Sequence, residues 1–77
     1  MTFDKVAGMI ADMAGMDVSE ITPDTKFEDL GIDSLDLAEM VLNIENDPEL
    51  GVKLELDASL TDVKSVVAKI DELRAAK

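Results

Sequence analysis

Ser34 is the side chain best placed for chemistry in this sequence. It is one of four serines, with Ser19, Ser59 and Ser65, and its surroundings set it apart. The run Leu30-Gly31-Ile32-Asp33-Ser34-Leu35 joins a turn-rich stretch to an amphipathic one. A hydroxyl at a helix N-terminus sits among free N–H groups and partial positive charge, an environment that tolerates a phosphate. The commoner use of such a serine is to cap the helix, and Asp33 is equally suited to that task. A Ser34-based hydrolase is disfavoured, because the sequence has no histidine to serve as base. It has no cysteine either, which removes disulfides, thiolate nucleophiles and Cys-based metal sites. The chain reads as something other than an enzyme.

Carboxylates are the second candidate chemistry. Asp29, Asp33 and Glu39 superficially suggest a calcium loop. An EF-hand needs oxygen ligands at its first, third and fifth positions, Gly at the sixth and Glu at the twelfth. Counted from Asp29, Gly31 takes the third position and Ser34 the sixth. The spacing fails, and no metal site is expected beyond weak divalent binding by clustered acids. Eighteen acidic residues against seven basic ones leave a net charge of −11. Such a surface repels nucleic-acid phosphates and anionic lipid and attracts basic proteins. No apolar run reaches membrane-spanning length. Met1-Thr2-Phe3-Asp4-Lys5 lacks the basic-then-apolar layout of a signal peptide, so a cytoplasmic location is expected.

The elements that must position Ser34 are helices. At 77 residues the chain makes one domain, 1–77, and with 3% aromatic residues its core must be aliphatic. Phe3, Val6, Ala7, Ile10, Met13 and Ala14 recur at helical spacing, which predicts a helix over 2–15 with Gly15 as its stop. Residues 16–33 read as a long ordered loop, pinned by Val18, Ile21, Phe27, Leu30 and Ile32, with a turn at Pro23. A second helix should start at Asp33 or Ser34 and end before Pro48. Asp36, Glu39, Asn43 and Asp47 form its polar stripe. Leu37, Ala38, Val41, Leu42 and Ile44, bordered by Leu35 and Met40, make an apolar arc so wide that this helix is expected to be central, with Leu35 and Val41 assigned to the core. Val52, Leu54 and Leu56 alternate with polar residues, suggesting extended chain. Asp57-Ala58-Ser59-Leu60 suits a single helical turn. Val63, Val66, Val67, Ile70 and Leu73 mark a last helix, capped by Ser59 or Thr61, with Lys69, Arg74 and Lys77 suited to its C-terminal end.

The stretch Asp29-Leu30-Gly31-Ile32-Asp33-Ser34-Leu35-Asp36, followed by Glu39 and Met40-Val41, resembles the signature of acyl carrier proteins. Glu20-Ile21-Thr22, Asp24-Thr25 and Phe27 resemble that family's loop. Ile44-Glu45 and Leu50-Gly51-Val52 resemble the end of its second helix and the segment just after it, so the likeness spans the chain. It implies an all-α, acyl-carrier-like bundle of three main helices, with a long ordered loop between helices one and two and a short irregular third helix. It implies a 4′-phosphopantetheine, transferred from coenzyme A to Ser34 by a phosphopantetheinyl transferase that recognises the flanking Asp33. The arm's thiol would carry acyl groups as thioesters to enzymes of fatty acid, lipid or polyketide biosynthesis.

By the same resemblance, Asp36, Glu39 and Glu45 meet basic patches on acyl-transferring and synthase enzymes, and Leu42 offers an apolar contact. For the acids the plain alternative is a solvated face; for Leu42 it is core packing. Pro48 breaks the usual acidic end of helix two, and Leu54 to Val63 is shorter than the family's common spacing across the third helix. Val52-Lys53-Leu54-Glu55-Leu56 also resembles peptide-synthetase carrier domains, so an aminoacyl or peptidyl carrier stays open. So does a small acidic interaction module without a prosthetic group. A monomer is expected.

Overall fold

The computed structural model describes residues 2–56 and 58–75; Met1, Asp57, Ala76 and Lys77 lie outside the described residues. Three helices form, α1 over Thr2–Ala14, α2 over Ser34–Asn46 and α3 over Val63–Ala75. The fold is the all-α bundle that the sequence implies. Among the described residues no strand forms, and the only β pairing is a single antiparallel bridge between Lys26 and Asp62.

α1 ends where Gly15 takes φ 68°, a left-handed conformation that favours glycine. Met16 N–H then donates to the Ala11 carbonyl at 3.0 Å, closing the helix end in a Schellman turn. The long loop is ordered by its own caps. Asp17 accepts from Ser19 N–H at 3.1 Å and Glu20 accepts from Asp17 N–H at 3.2 Å, framing a 3₁₀ turn over Val18–Glu20. Pro23 opens the next turn, in which Thr25 N–H donates to Thr22 C=O. The loop is then stitched to the start of α3. Phe27 N–H donates to Thr61 C=O at 3.1 Å, Val63 N–H to Thr25 C=O at 3.0 Å, and Lys64 N–H to Pro23 C=O at 2.9 Å.

Ile21, Phe27 and Ile32 are buried and Leu30 is half-buried, as a pinned loop requires. Val18 is half-exposed and pins nothing. Its 3₁₀ turn is held by polar caps, so the apolar side chain is free to face outward.

The core is aliphatic. Ile10, Met40, Ile44 and Ile70 are fully buried with Val6, Val52, Val63 and Val66. Truncating one of the larger four to Ala removes about 2–5 kcal/mol, a large share of what a domain this small can hold. The central element is α1, which packs on both α2 and α3 and most extensively on α3. The expectation that α2 is central is therefore corrected. Its buried stripe is only Met40, Val41 and Ile44. Leu35 is 78% exposed, so it does not belong to the core, whereas Val41 does.

α2 stops at Asn46. Asp47 adopts extended ψ 128° before Pro48, the geometry a following proline favours. Val52 and Leu54 point inward from the extended stretch, as alternation requires, but Leu56 is exposed. Among the described residues no helix forms between Asn46 and Val63. The short third helix is reduced to a turn at Ala58-Ser59, and Asp57 of the expected turn lies outside the described residues. The cap of α3 is Asp62 rather than Ser59 or Thr61. Its carboxylate accepts from Ser65 N–H at 2.9 Å, and Ser65 Oγ accepts from Asp62 N–H at 3.2 Å. At the far end of α3, Lys69 reaches Glu72 at 4.0 Å and Arg74 donates to Thr2 Oγ1 at 3.3 Å. Lys77 lies outside the described residues.

Asp47 ties the ends of α1 and α2 together. Its carboxylate accepts from Glu49 N–H at 2.7 Å and Leu50 N–H at 3.1 Å and pairs with Lys5 at 3.0 Å. The Glu49 amide and the Lys5 ammonium lower its pKa below the usual 3.8. Its hydrogen bond to Lys5 raises the lysine above 10.5. Backbone amides likewise lower Asp17 and Asp62. A carboxyl lowered in the fold stabilises it above the unfolded pKa, and that contribution fades as pH falls through the folded value. The raised Lys5 acts oppositely, contributing fully below 10.5 and losing its effect as pH rises through its higher folded value. Asp47→Asn should therefore melt lower than wild type near neutral pH and lose less Tm on acidification below about pH 4. Parallel acid limbs in circular-dichroism melts would contradict this.

Candidate functional site

The site begins with a backbone problem. The first turn of any helix leaves N–H groups without carbonyl partners. Here Asp33 resolves it. Its carboxylate accepts from Leu35 N–H at 3.0 Å and Asp36 N–H at 3.1 Å, and its own N–H donates to the Asp36 carboxylate at 3.4 Å. This reciprocal capping box, with Asp36 in the Glu or Gln role, starts α2 at Ser34.

Ser34 is thereby excused from capping. It occupies the first helical position, is exposed, and its hydroxyl has no hydrogen-bond partner among the described residues. The free amides expected there are largely taken, because Asp33 holds those of residues 35 and 36. An anion bonded to Ser34 would feel the positive end of the α2 macrodipole without those two donors.

The loop before α2 is locked. Phe27 C=O accepts from Leu30 N–H at 3.1 Å and Ile32 N–H at 3.0 Å, and Gly31 supplies the required positive φ of 72°. Next to Asp33 lies an open cleft of about 640 Å³ whose apolar lining is Phe27, Ile32, Leu37 and Leu60. A flexible group attached to Ser34 has room there.

The remaining candidate residues divide between two directions on α2. Asp36 and Glu39 line an acidic groove of about 550 Å³ against α1, together with Met9, Asp12 and Met13. Leu42 is 57% exposed, which rules out plain core packing for it. At 100° per residue, Leu35 and Leu42 lie opposite the buried Met40, Val41 and Ile44, with Glu39 and Glu45 to either side. Glu39 and Glu45 are both exposed. Sequence reasoning missed Leu35 as a surface group and missed the capping duty of Asp36. The Asp-x-x-Asp spacing at the helix start was the available signal for the second. Among the described residues, no three carboxylates come together in a way that could hold a metal ion.

Residues 4–70 match the family described as "Phosphopantetheine attachment site". The chain is 42% identical to the acyl carrier protein AcpXL of Rhizobium etli, over 99% of this chain and 96% of that one. It is 44% identical to AcpXL of Mesorhizobium japonicum, over 99% and 95%. It is 42% identical to the acyl carrier protein of Onion yellows phytoplasma, over 86% and 84%.

The capping geometry predicts unequal effects for two neighbouring substitutions. Asp33→Ala should cost about 1 kcal/mol, roughly 4–8 °C in Tm for a domain of this size. Ser34→Ala should leave Tm within the scatter of a neutral surface change. Calorimetry on both variants checks this; a larger loss for Ser34→Ala than for Asp33→Ala would contradict the assignment of the cap.

Proposed function

The chain belongs to the acyl carrier protein family, and from that premise we propose that Ser34 is the hydroxyl to which its 4′-phosphopantetheine is attached. The protein carries acyl groups; the arm supplies the thiol that forms their thioesters, a group the chain itself lacks. The observation that carries the Ser34 reading is its exposed, unpartnered hydroxyl at the first position of α2, beside a cap made entirely by its neighbours.

The chain's own residues support attachment by arrangement. Asp33 fixes the helix start, so the hydroxyl stays put when a transferase approaches. In this reading its proton leaves to a base on the transferase, and Asp33 and Asp36 hold the helix start through the capping box. The cleft lined by Phe27 and Leu37 leaves room beside the serine. Asp33 is also the flanking residue that we read as a recognition feature for the transferase.

We read the exposed α2 face as the partner-binding surface. Leu35 and Leu42 form an apolar pair with Glu39 and Glu45 alongside, the layout of an apolar contact with a charged rim. Asp36 contributes negative charge from the adjacent groove. Basic patches on acyl-transferring and synthase enzymes suit this surface, and its field would act first on association rate. In this reading the protein is a monomeric carrier that leaves catalysis to its partners and acts in the cytoplasm, in fatty acid, lipid or polyketide synthesis.

Intact mass after incubation with coenzyme A, Mg²⁺ and a broad-specificity transferase tests the attachment. The wild type should gain one phosphopantetheinyl group and Ser34→Ala none; modification of that variant at Ser19, Ser59 or Ser65 would overturn the reading. Charge reversal tests the face. Glu39→Lys with Glu45→Lys spares the capping box, so it should slow loading by a synthase and weaken its salt dependence with the helices intact. Unchanged rates would return both acids to solvated surface.

A further inference from the structure

The cleft beside Ser34 has a cation on its lining. Lys26 faces it together with the acids Glu28 and Asp33. The backbone on both sides holds Lys26 in position, since Thr25 and Phe27 are hydrogen-bonded to Val63 and Thr61. The Ile32 N–H bond to Phe27 C=O then closes the loop, bringing Lys26 and the start of α2 to the same cleft.

Lys26 differs from the structural lysines. Lys5 is paired with Asp47 and Lys64 with Asp24, whereas Lys26 has no carboxylate within ion-pair distance among the described residues. Its bridge partner Asp62 directs its carboxylate to the Ser65 amide, and Lys26 acts on that carboxylate only through space. Asp33 accepts the amides of residues 35 and 36 through one oxygen, Oδ1, and lies beyond ion-pair distance of Lys26. Glu28 and the second oxygen of Asp33 are the competitors for the ammonium on the cleft.

We propose that Lys26 pairs with the phosphodiester of the arm borne by Ser34 and so lays the proximal arm along the apolar cleft. This rests on Ser34 being the attachment residue. The chemistry is complementary: the lining offers an ammonium for the anion at the serine and Phe27, Leu37 and Leu60 for the gem-dimethyl carbon of the pantetheine. A partly exposed ion pair is weak by itself and is screened by salt. Covalent tethering raises the effective concentration of the phosphate at the cleft, so a weak pair is enough to bias the arm. Lys26 would be a positioning residue, governing how far the arm leans on the protein between partners.

The test is a map of backbone amide shifts by NMR for the unmodified and modified protein, in wild type, Lys26→Met and Lys26→Arg. Modification of wild type should move the amides of Lys26, Phe27, Leu60 and Thr61 as well as those near Ser34. Lys26→Met should reduce the distant shifts roughly twofold or more, Lys26→Arg should retain them, and added salt should diminish them in wild type. Shifts confined to residues 33–36, or a Lys26→Met pattern equal to wild type, would overturn the proposal. Inorganic phosphate at low millimolar concentration should leave the Lys26 amide of the unmodified protein in place, because only the tether populates so weak a pair; saturation there at that concentration would contradict a weak, tether-dependent pair. Intact mass separates the two levels. A chain that gains no mass at Ser34 removes both readings, while a modified chain with a silent cleft removes only this one.

Discussion

The Asp33 carboxylate is the interaction on which the site depends. It accepts two amides of the first turn of α2, and in doing so it ends the long loop, starts the helix and frees the next side chain. Without it, the amides of Leu35 and Asp36 would be left to solvent and the helix start would lose its cap. The two residues divide the work, one holding the backbone and the other left exposed, where the proposed attachment needs it. Asp36 closes the box from the other side, which ties part of the acidic surface to the integrity of the helix start.

The rest of the fold supplies the frame for that junction. The loop cannot drift, because its Thr25–Phe27 segment is bonded to Thr61–Val63 at the start of α3, and Phe27 is buried beneath it. α1 packs against both other helices, and the Lys5–Asp47 pair fastens its first turns to the end of α2. A core of aliphatic side chains, fully buried at Ile10, Met40, Ile44 and Ile70, holds this small frame together. The large negative charge opposes compaction and is tolerated because it is spread over an exposed surface.

Much of this was legible in the residues. Gly15 and Pro48 mark two helix ends, because glycine enters φ 68° at little cost and proline pushes the preceding Asp47 into extended backbone. The apolar spacing of α3 gives its buried face; that of α1 gives Val6, Ala7 and Ile10 but leaves Ala11, which is buried, off the stripe. The misplaced apolar residues share a cause. Periodicity shows which face of a helix is apolar but not whether anything covers it, so Leu35 was assigned to a core that stops at Met40, Val41 and Ile44. The same error made α2 look central. Val18 and Leu56 were likewise apolar in sequence and outward in space. Caps depend on a competition among nearby oxygens: Asp62 takes the start of α3, although Ser59 and Thr61 have suitable side chains. The short third helix was expected from resemblance, and the shorter spacing to Val63 leaves only a turn among the described residues.

The central claim is that the first-turn amides of α2 belong to Asp33 and are independent of what Ser34 carries. Amide hydrogen exchange at Leu35 and Asp36, measured on the protein before and after modification, tests it most directly. The account predicts the same protection in both states, because the Asp33 carboxylate remains on those amides while Ser34 is modified. Loss of protection at Leu35 and Asp36 on modification would show that the attached group displaces Asp33, and the division of labour between the two residues would not hold.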